Sequence, residues 1–238
     1  MKIDALTMIG GMPIELDCGV KIYQPRLSAI RDIGYTQYNA YVNLLMVDTH
    51  TLLETLGLTD SGELSALHPI RLVLLLPGLS ETLLEGLSFF LCQNVEQDGD
   101  GNLICQDGAM MPPDSFHDLR NAIARICCIE SAEEDAPPKG SAKALEIYRK
   151  IQEGRKRKQA SKKKHPQDLE INNLISAVSA RSATYNLFNI WDLTIWQLYD
   201  QFARMSVNEQ YDVWAQKWAA WGQDDYDFSL WYKNSQSE

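Results

Sequence analysis

A run of basic residues between positions 139 and 165 most strongly constrains how this chain can fold. It holds eleven of the 22 lysines and arginines and only two acids, Glu146 and Glu153, so its local charge is +9. The whole chain carries −10, and the remainder therefore carries about −19. A stretch this charged has too little apolar surface to build a core of its own. We expect it to be a basic arm between two folded parts.

The arm divides the chain into four predicted segments. These are a mixed α+β domain at 1–135, the basic arm at 136–167, a helical domain at 168–223 and an acidic aromatic tail at 224–238. The predicted fold class is mainly α with a small β component, in which hairpins precede an aromatic-rich helical bundle. The longest apolar run, at residues 72–76, is far shorter than the roughly 20 residues that cross a bilayer. We expect no membrane association and a cytoplasmic location.

The N-terminal part begins with short apolar segments at residues 1–9, 14–16 and 20–23, separated by turns that contain glycine. Segments of this length between such turns are typical of small β-sheets. A helix is predicted at 25–33, where apolar residues recur every three positions and Gly34 follows as a terminator.

The sequence Asp98-Gly99-Asp100-Gly101-Asn102 is the strongest turn signal in the chain. It also resembles the start of a calcium-binding loop, which places acidic or amide side chains at alternate positions. That loop then requires Gly and Glu where this chain has Leu103 and Ala109. The pattern therefore predicts a hairpin turn rather than a metal site.

The C-terminal part is rich in aromatic residues, and all six tryptophans lie between Trp191 and Trp231. Asp192 is predicted to cap one helix, and Ser206 with Glu209 forms a capping-box pattern that opens the next. The second helix has an aromatic stripe with spacings of three and four, formed by Tyr211, Trp214, Trp218 and Trp221. We interpret this stripe as the core of a three-helix bundle, while a partner-binding groove and a base-stacking surface stay open as alternatives.

Residues that are expected to be exposed are candidates for binding a partner. Aromatic side chains in an acidic tail have no core to enter, and the lysines of the arm can meet an acidic protein surface or a phosphate backbone. The predicted partner-binding residues are Trp221, Trp231, Tyr232, Lys156, Lys158, Lys162, Lys163 and Lys164.

No catalytic or metal-binding motif occurs in the sequence. The four histidines are isolated, and the five cysteines have no CxxC spacing, which suits reduced thiols better than disulfides. We expect no catalytic residues, no metal and no cofactor, and we expect that the protein is not an enzyme.

Several stretches together resemble tail assembly chaperones of siphophages that infect Gram-positive bacteria. They include residues 14–43, the hairpin followed by residues 114–116, and the Lys-rich arm. The most specific are residues 174–180 (LISAVSA) and 189–200 (NIWDLTIWQLYD).

The resemblance implies a protein that binds the tape measure protein and keeps it soluble in the host cytoplasm until tail tube subunits polymerise around it. The tail tube protein is then a further candidate partner, and self-association along the client is expected. Two alternatives stay open at this point: a nucleic-acid-binding phage accessory protein that uses the arm, and a structural neck or tail component of the virion.

Overall fold

The computed structural model describes residues 3–58, 62–99, 101–129, 170–222, 227 and 229–232. The chain forms two compact units. The first consists of Met1–Glu130 with Phe188–Asp200, and the second of Ser131–Leu187 with Gln201–Glu238. In this division residues 188–200 group with the N-terminal part of the chain. The predicted segment bounds stay a prediction.

The described elements make the fold mainly α with a small β component, as predicted. The helices are α1 (Ala5–Ile9), α2 (Leu27–Ile33), α3 (Tyr35–Met46), α4 (Thr49–Thr55), α5 (Gly62–Ser65), α6 (Pro69–Leu74), α7 (Leu79–Leu91), α8 (Phe116–Ile126), α9 (Ile171–Arg181) and α10 (Ile195–Trp221). Short 3₁₀ helices lie at Pro113–Ser115, Ile190–Asp192 and Leu230–Tyr232. The strands are β1 (Ile14–Glu15), β2 (Lys21–Ile22), β3 (Val95–Gln97), β4 (Leu103–Cys105) and β5 (Met110–Met111). None of these helices is long and apolar enough to cross a membrane.

The strands form two small antiparallel sheets. β1 pairs with β2, and β3, β4 and β5 follow one another in a second sheet. The predicted turn joins β3 to β4. Within it, the Asp98 carboxylate accepts hydrogen bonds from the backbone and side-chain amides of Asn102 at 2.8 and 2.7 Å. The hairpin prediction is confirmed, and the Asp98 carboxylate stabilises the turn by these hydrogen bonds.

One local prediction at the N-terminal end is corrected, and one strand further along the chain was missed. The apolar segment at residues 1–9 was expected in a sheet, but it contains α1, which ends where the Gly10 amide donates to the Leu6 carbonyl at 2.8 Å. β5 was not predicted at all. Its two residues, Met110 and Met111, are too few to show the alternating pattern of a strand. Their extended conformation depends on pairing with β4.

The core of the first unit is built where α3 packs along α7. Gly86 allows the close approach, since a Cβ atom at this position would lie 3.1 Å from the Tyr41 Cβ. Beside it, the rings of Tyr38 and Phe90 lie 6.4 Å apart and are buried. The fully buried Phe116 and Leu103 bring α8 and the second sheet into the same core.

A second junction joins α8 to the ends of α3 and α6. The Arg120 guanidinium donates to the carbonyls of Leu45, Met46 and Val47 at 2.9–3.0 Å and so satisfies the C-terminal end of α3. Burial, and then the positive charge of Arg120, lowers the pKa of His68 to about 4. His68 is therefore neutral near pH 7, and its Nδ1 accepts the Ile70 amide at 3.3 Å as the cap of α6.

Backbone pairing joins the N-terminal part of the first unit to residues 193–195. The Leu27 amide donates to the Leu193 carbonyl at 2.8 Å, and the Ile195 amide donates to the Pro25 carbonyl at 3.0 Å. Arg26 and Thr194 form an antiparallel bridge between these bonds. This pairing explains why residues 188–200 belong to the first unit.

A buried side chain, Gln24, strengthens the same junction. Its Nε2 donates to the carbonyls of Thr7 and Met12, each at 3.0 Å, and its Oε1 accepts the Thr194 hydroxyl at 3.3 Å. Gln24 is only 6% exposed, so these bonds replace the hydrogen bonds to water that its amide loses on burial. Nearby, Gln197 donates to the Ile9 carbonyl at 2.8 Å.

The start of α10 is a capping box that differs from the predicted one. The Gln197 amide donates to the Thr194 hydroxyl at 3.2 Å, and the Thr194 amide donates to the Gln197 Oε1 at 2.9 Å. The predictions for Asp192 and Ser206 were wrong: Asp192 lies in a 3₁₀ helix, and Ser206 lies inside α10. Residues 195–221 contain neither glycine nor proline, so nothing in the sequence breaks the helix.

We expect Gln24→Ala to lower the free energy of unfolding by about 1–3 kcal/mol, because it removes three hydrogen bonds made by a buried side chain and leaves the Thr7 and Met12 carbonyls without these donors. Denaturant titration followed by circular dichroism measures the change. Gln210→Ala, at an exposed position of α10, is the control and should change it by less than about 0.5 kcal/mol. Equal effects of the two substitutions would contradict a structural role for Gln24.

Candidate protein-binding surface

The three aromatic residues predicted to bind a partner are all exposed. Trp221 is the last residue of α10 and is 75% exposed, while Trp231 and Tyr232 are 55% and 62% exposed. Exposed aromatic side chains that cluster can form a surface that binds another protein, and the rings of Trp231 and Tyr232 are in contact. These three residues are the candidate protein-binding surface.

A local turn holds Trp231 and Tyr232. The Asp227 carboxylate accepts the Ser229 amide at 2.9 Å and the Ser229 hydroxyl at 2.6 Å, a turn geometry that short acidic side chains favour. The Tyr232 amide then donates to the Ser229 carbonyl at 3.2 Å and closes a single 3₁₀ turn. The two rings meet edge to face, with centroids 5.4 Å apart.

The predicted aromatic stripe of Tyr211, Trp214, Trp218 and Trp221 does not form the core that was expected. Together with Val207, four residues before Tyr211, it is called the α10 stripe. Trp214 is 47% exposed and Trp218 is 43% exposed. Residues 170–222 contain two helices rather than three. Because α10 runs without a break to Trp221, its second half does not fold back to bury its own stripe.

The second unit joins α9 and α10 by an ion pair. Arg181 Nη2 lies 2.7 Å from Glu209 Oε1. The sequence had placed Glu209 in a capping box with Ser206, but its carboxylate reaches α9 instead. Both side chains are about half exposed, so the pair orients the helices more than it stabilises them. Gly222, with φ of +63°, ends α10.

Two surface cavities illustrate the shape of the described part of the first unit. A wide groove of about 550 Å³ lies between α3 and α7 and includes Leu84, Phe89 and Tyr41, whose hydroxyl donates to Glu85 Oε2 at 3.1 Å. A smaller cavity of about 220 Å³ lies where Arg71 faces Gly101. In the described part of the chain, no group of three or more His, Cys, Asp or Glu side chains is placed to hold a metal ion.

All five cysteines are free thiols, which agrees with the prediction. Burial raises the pKa of Cys127 to about 12 and that of Cys128 to about 11. These two thiols therefore stay protonated near pH 7 and are poor nucleophiles. Cys127 is packed against Tyr38, with its Sγ 3.3 Å from the phenol oxygen.

The basic part of the predicted surface lies outside the described residues. This applies to Lys156, Lys158, Lys162, Lys163 and Lys164. Their role as partner contacts stays a prediction.

Sequence reasoning missed two features of the site and its support. The Thr-x-x-Gln pattern at 194–197 was visible and would have located the start of α10. The exposure of Trp214 had no such signal, because an aromatic stripe has the same spacing whether it faces a core or water.

Residues 161–236, about a third of the chain, match the family model described as the YomV second domain. YomV is a phage-associated family. The match supports a phage protein. It covers the whole of α9 and α10 together with Trp231 and Tyr232, so the candidate surface lies inside the matched region. No curated protein and no solved structure matches the chain significantly.

Alanine substitution should separate the exposed tryptophans from the buried one. Trp196→Ala should lower the free energy of unfolding by about 3–5 kcal/mol, because Trp196 is 5% exposed and its loss leaves a cavity. Trp221→Ala and Trp231→Ala should change it by less than about 1 kcal/mol. Urea titration of the three variants makes the comparison, and a large loss at Trp221 or Trp231 would show that these side chains are structural.

Proposed function

We propose that this phage protein is a non-enzymatic tail assembly chaperone that acts in the host cytoplasm. Its client is the tape measure protein, which it covers until tail tube subunits polymerise and take its place. The YomV second-domain match supports the phage assignment, and the resemblance of residues 174–180 and 189–200 to tail assembly chaperones supports the specific role.

The exposure of Trp221, Trp231 and Tyr232 carries the proposal. A chaperone for an apolar helical client must present apolar surface of its own, and aromatic side chains bury the largest area per residue. Covering the exposed parts of three such rings contributes on the order of a few kcal/mol. That magnitude suits a complex that forms readily and is later displaced by tail tube subunits.

The charge of the chain supports the same role. A protein with a net charge of −10 that coats an apolar client gives the complex a common negative charge, and the resulting repulsion opposes aggregation. The exposed aromatic side chains therefore bind the client, and the net negative charge of the chain keeps the complex in solution.

Co-expression with the tape measure protein tests the proposal. The client should move from the pellet to the supernatant and should co-purify with the chain. The double variant Trp231→Ala with Tyr232→Ala should reduce co-purification about tenfold, since loss of two interfacial aromatic rings costs at least about 1.4 kcal/mol.

The matched control is Leu75→Ala with Met110→Ala, which removes two exposed apolar side chains of the first unit. This variant should co-purify like the unchanged chain. Absence of any gain in client solubility, together with absence of co-purification, would reject the chaperone role. An equal loss in both double variants would reject the aromatic surface as the client contact.

The proposal also predicts where the protein is found at the end of assembly. Because tail tube subunits displace it, mass spectrometry of purified virions should not detect the chain, whereas lysates of infected cells should contain it. Stoichiometric amounts in the virion would instead identify a structural neck or tail component.

A further inference from the structure

The α10 stripe has the spacing of a helix-pairing seam. From Val207 to Trp221 the intervals are four, three, four and three residues, which is the alternation of a and d positions in a coiled coil. Trp214 and Trp221 are seven residues apart and therefore occupy equivalent positions two turns from each other. Both are exposed, whereas Tyr211 and Trp218 also make interactions within the chain. The inference rests on Trp214 and Trp221.

The charges near the stripe allow a second copy of this chain to be the partner. Two copies of a chain with net charge −10 repel one another where their acids meet. Between residues 206 and 222 the acids are Glu209 and Asp212, and at 100° per residue both project from the side of α10 opposite the stripe. The positions that flank the seam hold Gln210, Ala215 and Lys217 instead. Two copies can therefore approach through the stripe without bringing together the carboxylates of Glu209 and Asp212.

The length of the seam also favours a second copy. It ends at Gly222, after about two heptads, and an identical helix has the same length and spacing, so one patch can pair with itself about a two-fold axis. We propose that two copies of this chain associate through the α10 stripe. This association does not depend on the proposed chaperone function.

The available area sets the strength of the association. The exposed parts of Trp214, Trp218 and Trp221 amount to roughly 400 Å², given about 250 Å² for a whole side chain. A stable dimer buries about 800 Å² on each partner. The seam supplies about half of that area, so the dimer is weak and exchanges with monomer in the micromolar range or above.

Sedimentation velocity of the purified full chain, from micromolar to several hundred micromolar, tests the proposal. The average mass should rise from 27.0 kDa towards twice that value. Trp214→Glu places a carboxylate on each side of the seam and should weaken association about tenfold or more. Gln216→Glu adds the same charge to the opposite side of the same helix and should associate like the unchanged chain.

Further measurements keep the outcome decisive. Trp221→Glu, at the exposed end of α10, should also weaken association about tenfold or more, and far-ultraviolet circular dichroism should show equal helix content in all variants. Association should persist in high salt, because apolar contacts are not screened, whereas pairing of the basic arm with acids of another copy would be lost. A chain that stays monomeric, equal effects of Trp214→Glu and Gln216→Glu, or loss in high salt would each overturn the proposal. None of these results depends on whether the tape measure protein binds.

Discussion

The first unit depends on the junction between residues 24–27 and residues 193–197. Two backbone hydrogen bonds and a buried glutamine join parts of the chain that are 170 residues apart in sequence. Bringing such distant segments together costs chain entropy, and the buried position of Gln24 makes its hydrogen bonds necessary rather than optional. Gln24 contacts both Thr194, which caps α10, and the Thr7 carbonyl in α1. The junction therefore fixes the start of α10 and holds α1 against the first unit.

The aromatic residues of the C-terminal part serve two different purposes. Trp196, in the first turn of α10, is buried and contributes to the first unit. Trp214 and Trp221, in the second half of the same helix, remain exposed. One helix therefore begins as part of a core and ends as a surface, which suits a protein that we propose acts by contact with other proteins.

Much of the local structure was predictable from the sequence. The hairpin at 98–102 was clear because aspartate, glycine and asparagine favour the turn geometry that Asp98 and Asn102 adopt. The end of α2 was also clear, since Gly34 has a positive φ value that other residues avoid. Trp231 and Tyr232 are exposed, as expected of aromatic side chains beyond the end of the last apolar pattern, whereas Trp221, predicted both in the core stripe and as a partner contact, is also exposed; the binding role of all three stays a prediction.

The sequence by itself determined the helix and turn propensities, the acidic balance of the chain and the spacing of the aromatic stripe. Only the tertiary structure decided which face of that stripe meets water and which residues close the junction at Gln24. Periodicity describes the position of a side chain on its own helix, and it is the same for a core and for a seam. What covers the side chain depends on contacts between segments far apart in sequence, and no local pattern records them.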